Sequence, residues 1–271
     1  MPGKILCLPL RAGWRVNPLS ALYLENIMTQ LPKPVLEVCP SPALLHLYDV
    51  ANSIVVIIDV LRATSTIATA LSNGAREIIP VASVAECIRI GSELNAVTAG
   101  ERDGFIAEGL QHGNSPFEYP REFIAGKTLV LTTTNGTRLL HLASGAGEII
   151  TGSFPNLSCV REYLIEQHKP VLLACAAWKD RINLEDMLFA GAVIDGVREH
   201  FSVTGDAALI AEGLYLEAKT DLFKALTRAT HFKRLSGHGL EKDIRYCLTA
   251  DLAPVLPLLQ EGRLINARNA S

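Results

Sequence analysis

The chain has 271 residues, of which 49% are hydrophobic and 20% charged, and its formal net charge is -3 with no block of lysines and arginines. That composition is globular and excludes a long disordered tract, while the charge offers no footprint for nucleic acid or an anionic membrane surface. No apolar run approaches the ~20 residues of a membrane span, so a soluble chain is expected.

In chain order, Pro2, Pro9, Pro18, Pro32 and Pro34 interrupt any period at the start, and Arg11 and Arg15 break the apolar stretches. No signal peptide is visible there. A poorly ordered extension over residues 1–33 is expected, with Met28 as an alternative start, followed by one α/β domain over 34–266. VLEVC at Val35 to Cys39 reads as the first strand and SIVVIID at Ser53 to Asp59 as the clearest one. TSTIATALSNG then reads as a helix stopped at Gly74. Short β-branched runs go on alternating with helical periods: REIIPV, AVTAG, KTLVLTT, GEIITG and PVLLACA as strands, SVAECIRIGSEL, GTRLLHLAS and PNLSCVREYLIEQH as helices. EDMLFAGAVIDGVREHF opens a mostly helical last third, with two or three more helices and a strand near Val255 to Leu259. The pattern predicts a three-layer α/β/α fold with a mainly parallel sheet and a helical C-terminal third.

In open parallel sheets ligands bind beyond the carboxyl ends of the strands. Acids, hydroxyls, amides and arginines collect there: Asp59 before VLRATST, Gly100 before ERDG, Thr132 before TTNGT, Gly152 before SFPN and Cys175 before AAWKDR. An aspartate ending an apolar run is costly unless a cation or donors meet it. A structural Asp59–Arg62 pair with threonine capping is one reading. The other is an anion cradle, with Thr64, Ser65, Thr66, Asn135, Gly136 and Thr137 donating at helix starts. Glu101, Glu185 and Asp186 join Asp59 as oxygen donors for a metal, and hard carboxylates favour magnesium. The bland reading of Glu185 and Asp186 is pairing with their own helix N-terminus. The seven histidines form no HxxxH pair and the cysteines (Cys7, Cys39, Cys87, Cys159, Cys175, Cys247) no CxxC, so the motifs do not point to zinc, and reduced thiols of a cytoplasmic protein are expected.

Several motifs fail on inspection. AGKT at Ala125 lacks the first glycine of a P-loop, where Arg121 stands, and precedes a strand instead of following one. Leu61 occupies the place of the acid that aspartyl-phosphate phosphatases carry two residues after the nucleophile. No GxSxG or GxGxxG occurs. CAAWKDR, from Cys175 to Arg181, has the cysteine-to-arginine spacing of a thiol phosphatase, but Trp178, Lys179 and Asp180 are bulky or acidic where that loop needs small residues.

DVLRATST at Asp59, GERDG at Gly100, GNSPFEY at Gly113, LTTTNGT at Leu131, GSFPN at Gly152 and LEDMLFAGA at Leu184 together resemble the 2-phosphosulfolactate phosphatase family. VCPSPAL at Val38 and HGLEKDIRYCL at His238 fit its opening and closing segments, so the resemblance spans roughly Val35 to Leu264. It implies magnesium-dependent hydrolysis of 2-phospho-3-sulfolactate to 3-sulfolactate and phosphate, within coenzyme M biosynthesis. It marks Asp59, Arg62, Thr64, Glu101, Asn114, Asn135, Gly136, Ser153, Glu185 and Asp186 as signature positions. The expected assignment has Asp59 with one or two of Glu101, Glu185 and Asp186 holding magnesium. Arg62 and the Thr64 and Asn135 turns hold the phosphate, and Arg102 or Arg138 meets the carboxylate or sulfonate. Ser65, Thr66, Asn114, Gly136, Thr137, Ser153 and Cys175 complete the expected substrate pocket. The partner is a small anionic phosphorylated substrate, and a homodimer is allowed. The rival readings are a thiol phosphatase using Cys175 and Arg181 and a non-catalytic anion binder of the same fold. AAWKDRIN after Cys175 departs from the family's small glycine-containing turn, which puts substrate choice, more than reaction class, at that position.

Overall fold

The computed structural model describes residues 32–269. The extension expected over 1–33 lies, apart from its last two residues, outside the described residues, as do Met28 and Cys7.

The apolar runs become strands β1 (Val35–Cys39) and β2 (Ile54–Ile58). Every residue of β2 is buried, and its side chains alternate between two cores. Ile54, Val56 and Ile58 enter one, Val55 and Ile57 the other, as a two-residue period requires of a strand covered on both faces. Each such side chain contributes roughly 1.5–3 kcal/mol on burial. Helix α1 (Ala63–Ser72) follows, and Gly74, at φ +92°, turns the chain out of it into β3 (Glu77–Pro80). Helix α2 (Val84–Leu94) starts on Ser83, whose Oγ accepts from the Glu86 N–H at 3.1 Å, and stops on left-handed Asn95. Then come β4 (Val97–Arg102), the short β5 (Phe105–Ile106), α3 (Arg121–Ile124), β6 (Thr128–Thr132), α4 (Gly136–Leu142), β7 (Glu148–Gly152), α5 (Leu157–Gln167) and β8 (Val171–Cys175). The last third holds α6 (Leu184–Val197), β9 (Ser202–Val203), α7 (Asp206–Ala218), α8 (Leu222–Leu226), α9 (Thr230–Gly237) and α10 (Glu241–Cys247), and it ends in an antiparallel hairpin, β10 (Pro257–Gln260) and β11 (Arg263–Asn266). Four helices therefore stand after α6 where two or three are expected, and a hairpin replaces the single terminal strand.

The strand order is β5-β4-β6-β3-β11-β10-β7-β2-β8-β1-β9. Two parallel half-sheets, β4-β6-β3 and β7-β2-β8-β1-β9, are bridged by the hairpin through one paired position on each side, Leu264 with Ile78 and Leu258 with Ile150. Residues of α1 and α4 fill the core shared by both halves, while α5, α6 and α7 cover the opposite face of the β2 half and Cys87 of α2 covers β6 at Val130. The fold is thus α/β with a mainly parallel sheet and helices on both faces, including a helical C-terminal part. No helix among the described residues is long and apolar enough to cross a membrane. The five described cysteines are buried and form no disulfide.

Candidate active site

The turn after β2 is built by its own polar groups. The Asp59 N–H donates to Thr64 Oγ1 at 3.1 Å and the Thr64 N–H returns to the Asp59 carbonyl at 2.9 Å. Ser65 donates its hydroxyl to the Val60 carbonyl at 2.8 Å and Thr66 to that of Asn114 at 3.0 Å. All three hydroxyls are buried and committed to the scaffold, and none lines the cleft; they shape the turn that presents Asp59 and Arg62. Arg62 is 6% exposed, and its Nη1 donates to Asp243 Oδ1 of α10 at 2.8 Å, so its charge is neutralised by a residue 181 positions away.

The other half-sheet delivers Glu101 and the α4 turn. Glu101 accepts from the Gly104 N–H at 3.0 Å and from the Thr134 N–H at 2.9 Å, tying the β4–β5 turn to the loop after β6. Arg102 points elsewhere, to the Glu101 carbonyl at 2.6 Å and Thr132 Oγ1 at 3.0 Å. Thr137 and Thr133 cap α4 reciprocally, each accepting from the other's N–H, which leaves the Asn135 side chain without a capping bond. Gly136 is where the halves meet: a Cβ there would lie 2.8 Å from Asp59 Oδ2 and 2.8 Å from Ala63 Cβ.

Behind these walls α6 contributes two buried acids. Asp186 accepts from the Val60 N–H at 3.0 Å and the Ala177 N–H at 3.2 Å, locking together the loops that leave β2 and β8. Burial, then Glu185 and Asp59, hold its pKa well above the carboxylate range. Glu185 meets Nδ1 of His231 on α9 through one carboxylate oxygen, and its other oxygen is buried without a partner. His231 Nε2 lies 2.8 Å from Arg234 Nη2.

The result is a narrow cleft lined by Asp59, Leu61, Arg62, Glu101, Asp103, Gly104, Asn114, Thr134, Asn135, Trp178, His231, Arg234 and Leu235. Of the residues expected from sequence, Asp59, Arg62, Glu101, Asn114 and Asn135 line it together. Glu185 and Asp186 stand behind the lining; Gly136 abuts Asp59; Thr64, Ser65, Thr66 and Thr137 form the turns beneath. Ser153 is not part of the lining, because its N–H and hydroxyl both donate to Asn156 Oδ1 in a structural cap. Arg102 and Arg138 line a neighbouring depression, and the second arginine of the cleft is Arg234. The thiol-phosphatase reading is corrected here. Cys175 is fully buried against Met187, 3.9 Å between sulfurs, and burial followed by Asp186 pushes its pKa well above that of a free thiol, so no thiolate faces the cleft. Arg181 is exposed and does not line the cleft.

Sequence reasoning did not single out His231, Arg234 and Asp243. His231, Arg234 and Leu235 stand at i, i+3 and i+4 on α9, one helix face turned to the cleft, and that spacing was the available signal.

The electrostatics of the lining bear on a metal. Burial is the largest effect on Asp59, with Glu101 next, and they push it up to about 6 despite the hydrogen bond from the Ala63 N–H. Among the described residues no three His, Cys, Asp or Glu side chains gather into a ready-made ion cage. Asp59 and Glu101, hard carboxylates of this cleft whose charges oppose one another, fit magnesium, which is held by one or two carboxylates and completes its shell with water and substrate phosphate.

The profile of the family described as 2-phosphosulpholactate phosphatase matches residues 39–262. Curated proteins named "Probable 2-phosphosulfolactate phosphatase" are similar to this chain along most of their length. The one from Thermotoga petrophila is 44% identical over 210 residues, covering 78% of this chain and 90% of its own. The one from Caldanaerobacter subterraneus subsp. tengcongensis is 37% identical over 231 residues, 80% and 96% respectively. The one from Clostridium acetobutylicum is 35% identical over 220 residues, 80% and 93%. With the motif segments, the matched span and the relatives all in agreement, the chain belongs to the 2-phosphosulfolactate phosphatase family.

Proposed function

We propose that the chain is a magnesium-dependent phosphatase that hydrolyses 2-phospho-3-sulfolactate to 3-sulfolactate and inorganic phosphate. The observation that carries this reading is the meeting of Asp59 and Glu101 with Arg62 and Arg234 in one cleft, where carboxylates for a cation and guanidinium groups for anions face the same space.

Asp59 and Glu101 would hold the magnesium. When bound, it would supply Lewis-acid neutralisation of the phosphoryl oxygens. Arg62, pinned by Asp243, presents its remaining N–H groups at the turn that also presents Asp59, so a phosphoryl group beside Asp59 is met by a preorganised donor. Buried and unpartnered, Asn114 Oδ1 and Thr134 Oγ1 add polar contacts along the same lining. The Asp59 carboxylate, attacking directly or orienting a water in line, must be ionised for either role. Activity is therefore expected to fall on the acid side, and the acid limb should move to lower pH as magnesium rises, because a cation favours the charged carboxylate. Glu185 and Asp186 position the walls: one orients His231, the other joins the β2 and β8 loops.

The test is phosphate release from 2-phospho-3-sulfolactate with magnesium. EDTA is expected to abolish it, Asp59→Asn and Arg62→Ala each to lower turnover at least about a hundredfold without unfolding, and Cys175→Ser to leave it intact. Wild-type rates in EDTA would remove the metal from the mechanism, and no release from any phosphorylated hydroxy acid would leave an anion-binding protein.

A further inference from the structure

Arg234 is built into the wall of the cleft. Its Nη2–H lies 2.8 Å from His231 Nε2, and because arginine only donates, Nε2 accepts and the ring proton sits on Nδ1, facing buried Glu185. That chain fixes one edge of the guanidinium. The Trp178 ring fixes a face, with its centroid 5.1 Å from the guanidinium carbon. Trp178 is aimed in turn by a tight hairpin turn. It exchanges backbone hydrogen bonds of 2.9 and 3.0 Å with Arg181 around Lys179 and Asp180, whose φ values are 52° and 60°. Asp180 is held from outside by Arg138 Nη1 at 3.0 Å and, through its carbonyl, by the Ser41 hydroxyl at 2.9 Å.

What this scaffolding holds is a guanidinium that, among the described residues, has no carboxylate at ion-pair distance. Arg62 has Asp243, whereas Arg234 forms no ion pair with a carboxylate among the described residues, and its Nε is buried without an acceptor. A rigid guanidinium with an unpaired charge and an unpaired donor in a substrate cleft is arranged for an anionic ligand. The phosphoryl group belongs with Asp59, Glu101 and Arg62, so a different anion must meet Arg234.

We propose that Arg234 recognises the sulfonate of the substrate and that Trp178 positions it there. This assignment rests on the phosphatase reading of the same cleft. A sulfonate presents oxygen acceptors to the guanidinium edge while its methylene lies against the indole and Leu235. The turn that departs from the family's pattern, AAWKDR, thereby acts on substrate choice.

The experiment compares kcat and KM of the full chain with magnesium for 2-phospho-3-sulfolactate and for 2-phospholactate, which keeps the ester and carboxylate but lacks the sulfonate. Arg234→Gln removes the charge and, two bonds shorter, the guanidinium edge as well. It is expected to lower the ratio of kcat/KM values, sulfonated over unsulfonated, by about tenfold to a hundredfold, chiefly through KM. Arg234→Lys, which keeps the charge without the fork, should lower the ratio severalfold, and it stands in for the glutamine variant if that does not fold. Trp178→Leu should lower the ratio severalfold through KM, a selectivity that loss of structure alone would not produce. An unchanged ratio in folded Arg234 variants of an active enzyme overturns the assignment and leaves the phosphatase reading standing. Absence of phosphate release by the wild type overturns both.

Discussion

Asp59 carries a cost in folding that its function explains. Its pKa in the folded chain, about 6, exceeds the ~3.9 of an unfolded aspartate. Below about pH 4 the group is protonated in both states and contributes nothing; above about pH 6 it is ionised in both, and the folded state carries the full penalty, roughly 3 kcal/mol for a shift of about two units. Asp59→Asn should therefore raise the metal-free Tm at about pH 7.5 by several degrees and leave it unchanged at about pH 3.5. Saturating magnesium should raise the Tm of the wild type and not that of the variant. A Tm difference independent of pH would locate the effect elsewhere. Gly136 sits against the same carboxylate, with 2.8 Å from a would-be Cβ to Asp59 Oδ2. Backbone and carboxylate cannot both stay in place in Gly136→Ala, and because displacements near 1 Å cost about a hundredfold in positioning, turnover should fall by that order while far-UV circular dichroism stays native.

Among the elements, the Trp178–Arg181 turn sets two opposing terms against each other. Lys179 and Asp180 both adopt positive φ, which costs non-glycine residues of this kind about 1–3 kcal/mol each, while the half-exposed Arg138–Asp180 pair is worth about 0–1 kcal/mol. Replacing the pair by Asn-Gly removes more strain than it loses in pairing, so Lys179→Asn with Asp180→Gly should raise Tm by about 2–8 °C, read by thermal denaturation. A lower Tm would mean that the anchors outweigh the strain. The elements differ in how far their sequences announce them. Strands such as Ile54–Ile58 are legible because they are uninterrupted β-branched runs, and the acids that end them, Asp59 and Glu101, are legible because no packing rule puts a carboxylate there. The terminal hairpin carries a weaker sign, Glu261-Gly262 between two apolar stretches, both at positive φ, and it reads as one strand unless that pair is taken as a turn. His231, Arg234 and Asp243 are ordinary polar residues on short amphipathic helices. Only tertiary packing brings them to Glu185 and Arg62 across 46 and 181 positions, and no local pattern encodes such separations.

For the whole molecule, the consequential feature is that the cleft lies where two half-sheets converge: Asp59 and Trp178 come from one, Glu101 and Asn135 from the other. Parallel strands and covering helices follow from the alternation of apolar periods, but the division of the sheet does not, because it depends on a hairpin from the far end of the chain entering between β3 and β7. That hairpin meets each half at a single paired position, with Leu264 fully buried at one of them. None of its residues lines the cleft, so any effect it has on turnover must act through the relative placement of the halves. Leu264→Ala and Leu164→Ala, the latter equally buried in α5 on the opposite face, should each lose about 2–5 kcal/mol of stability. At a temperature where both variants are fully folded, Leu264→Ala should also lose kcat/KM by on the order of tenfold or more, since Asp59 and Glu101 must stay in register across the junction, whereas Leu164→Ala should keep nearly the wild-type value. Equal kcat/KM in the two folded variants would mean that the shared core of α1 and α4 sets the register by itself and that the hairpin contributes stability alone.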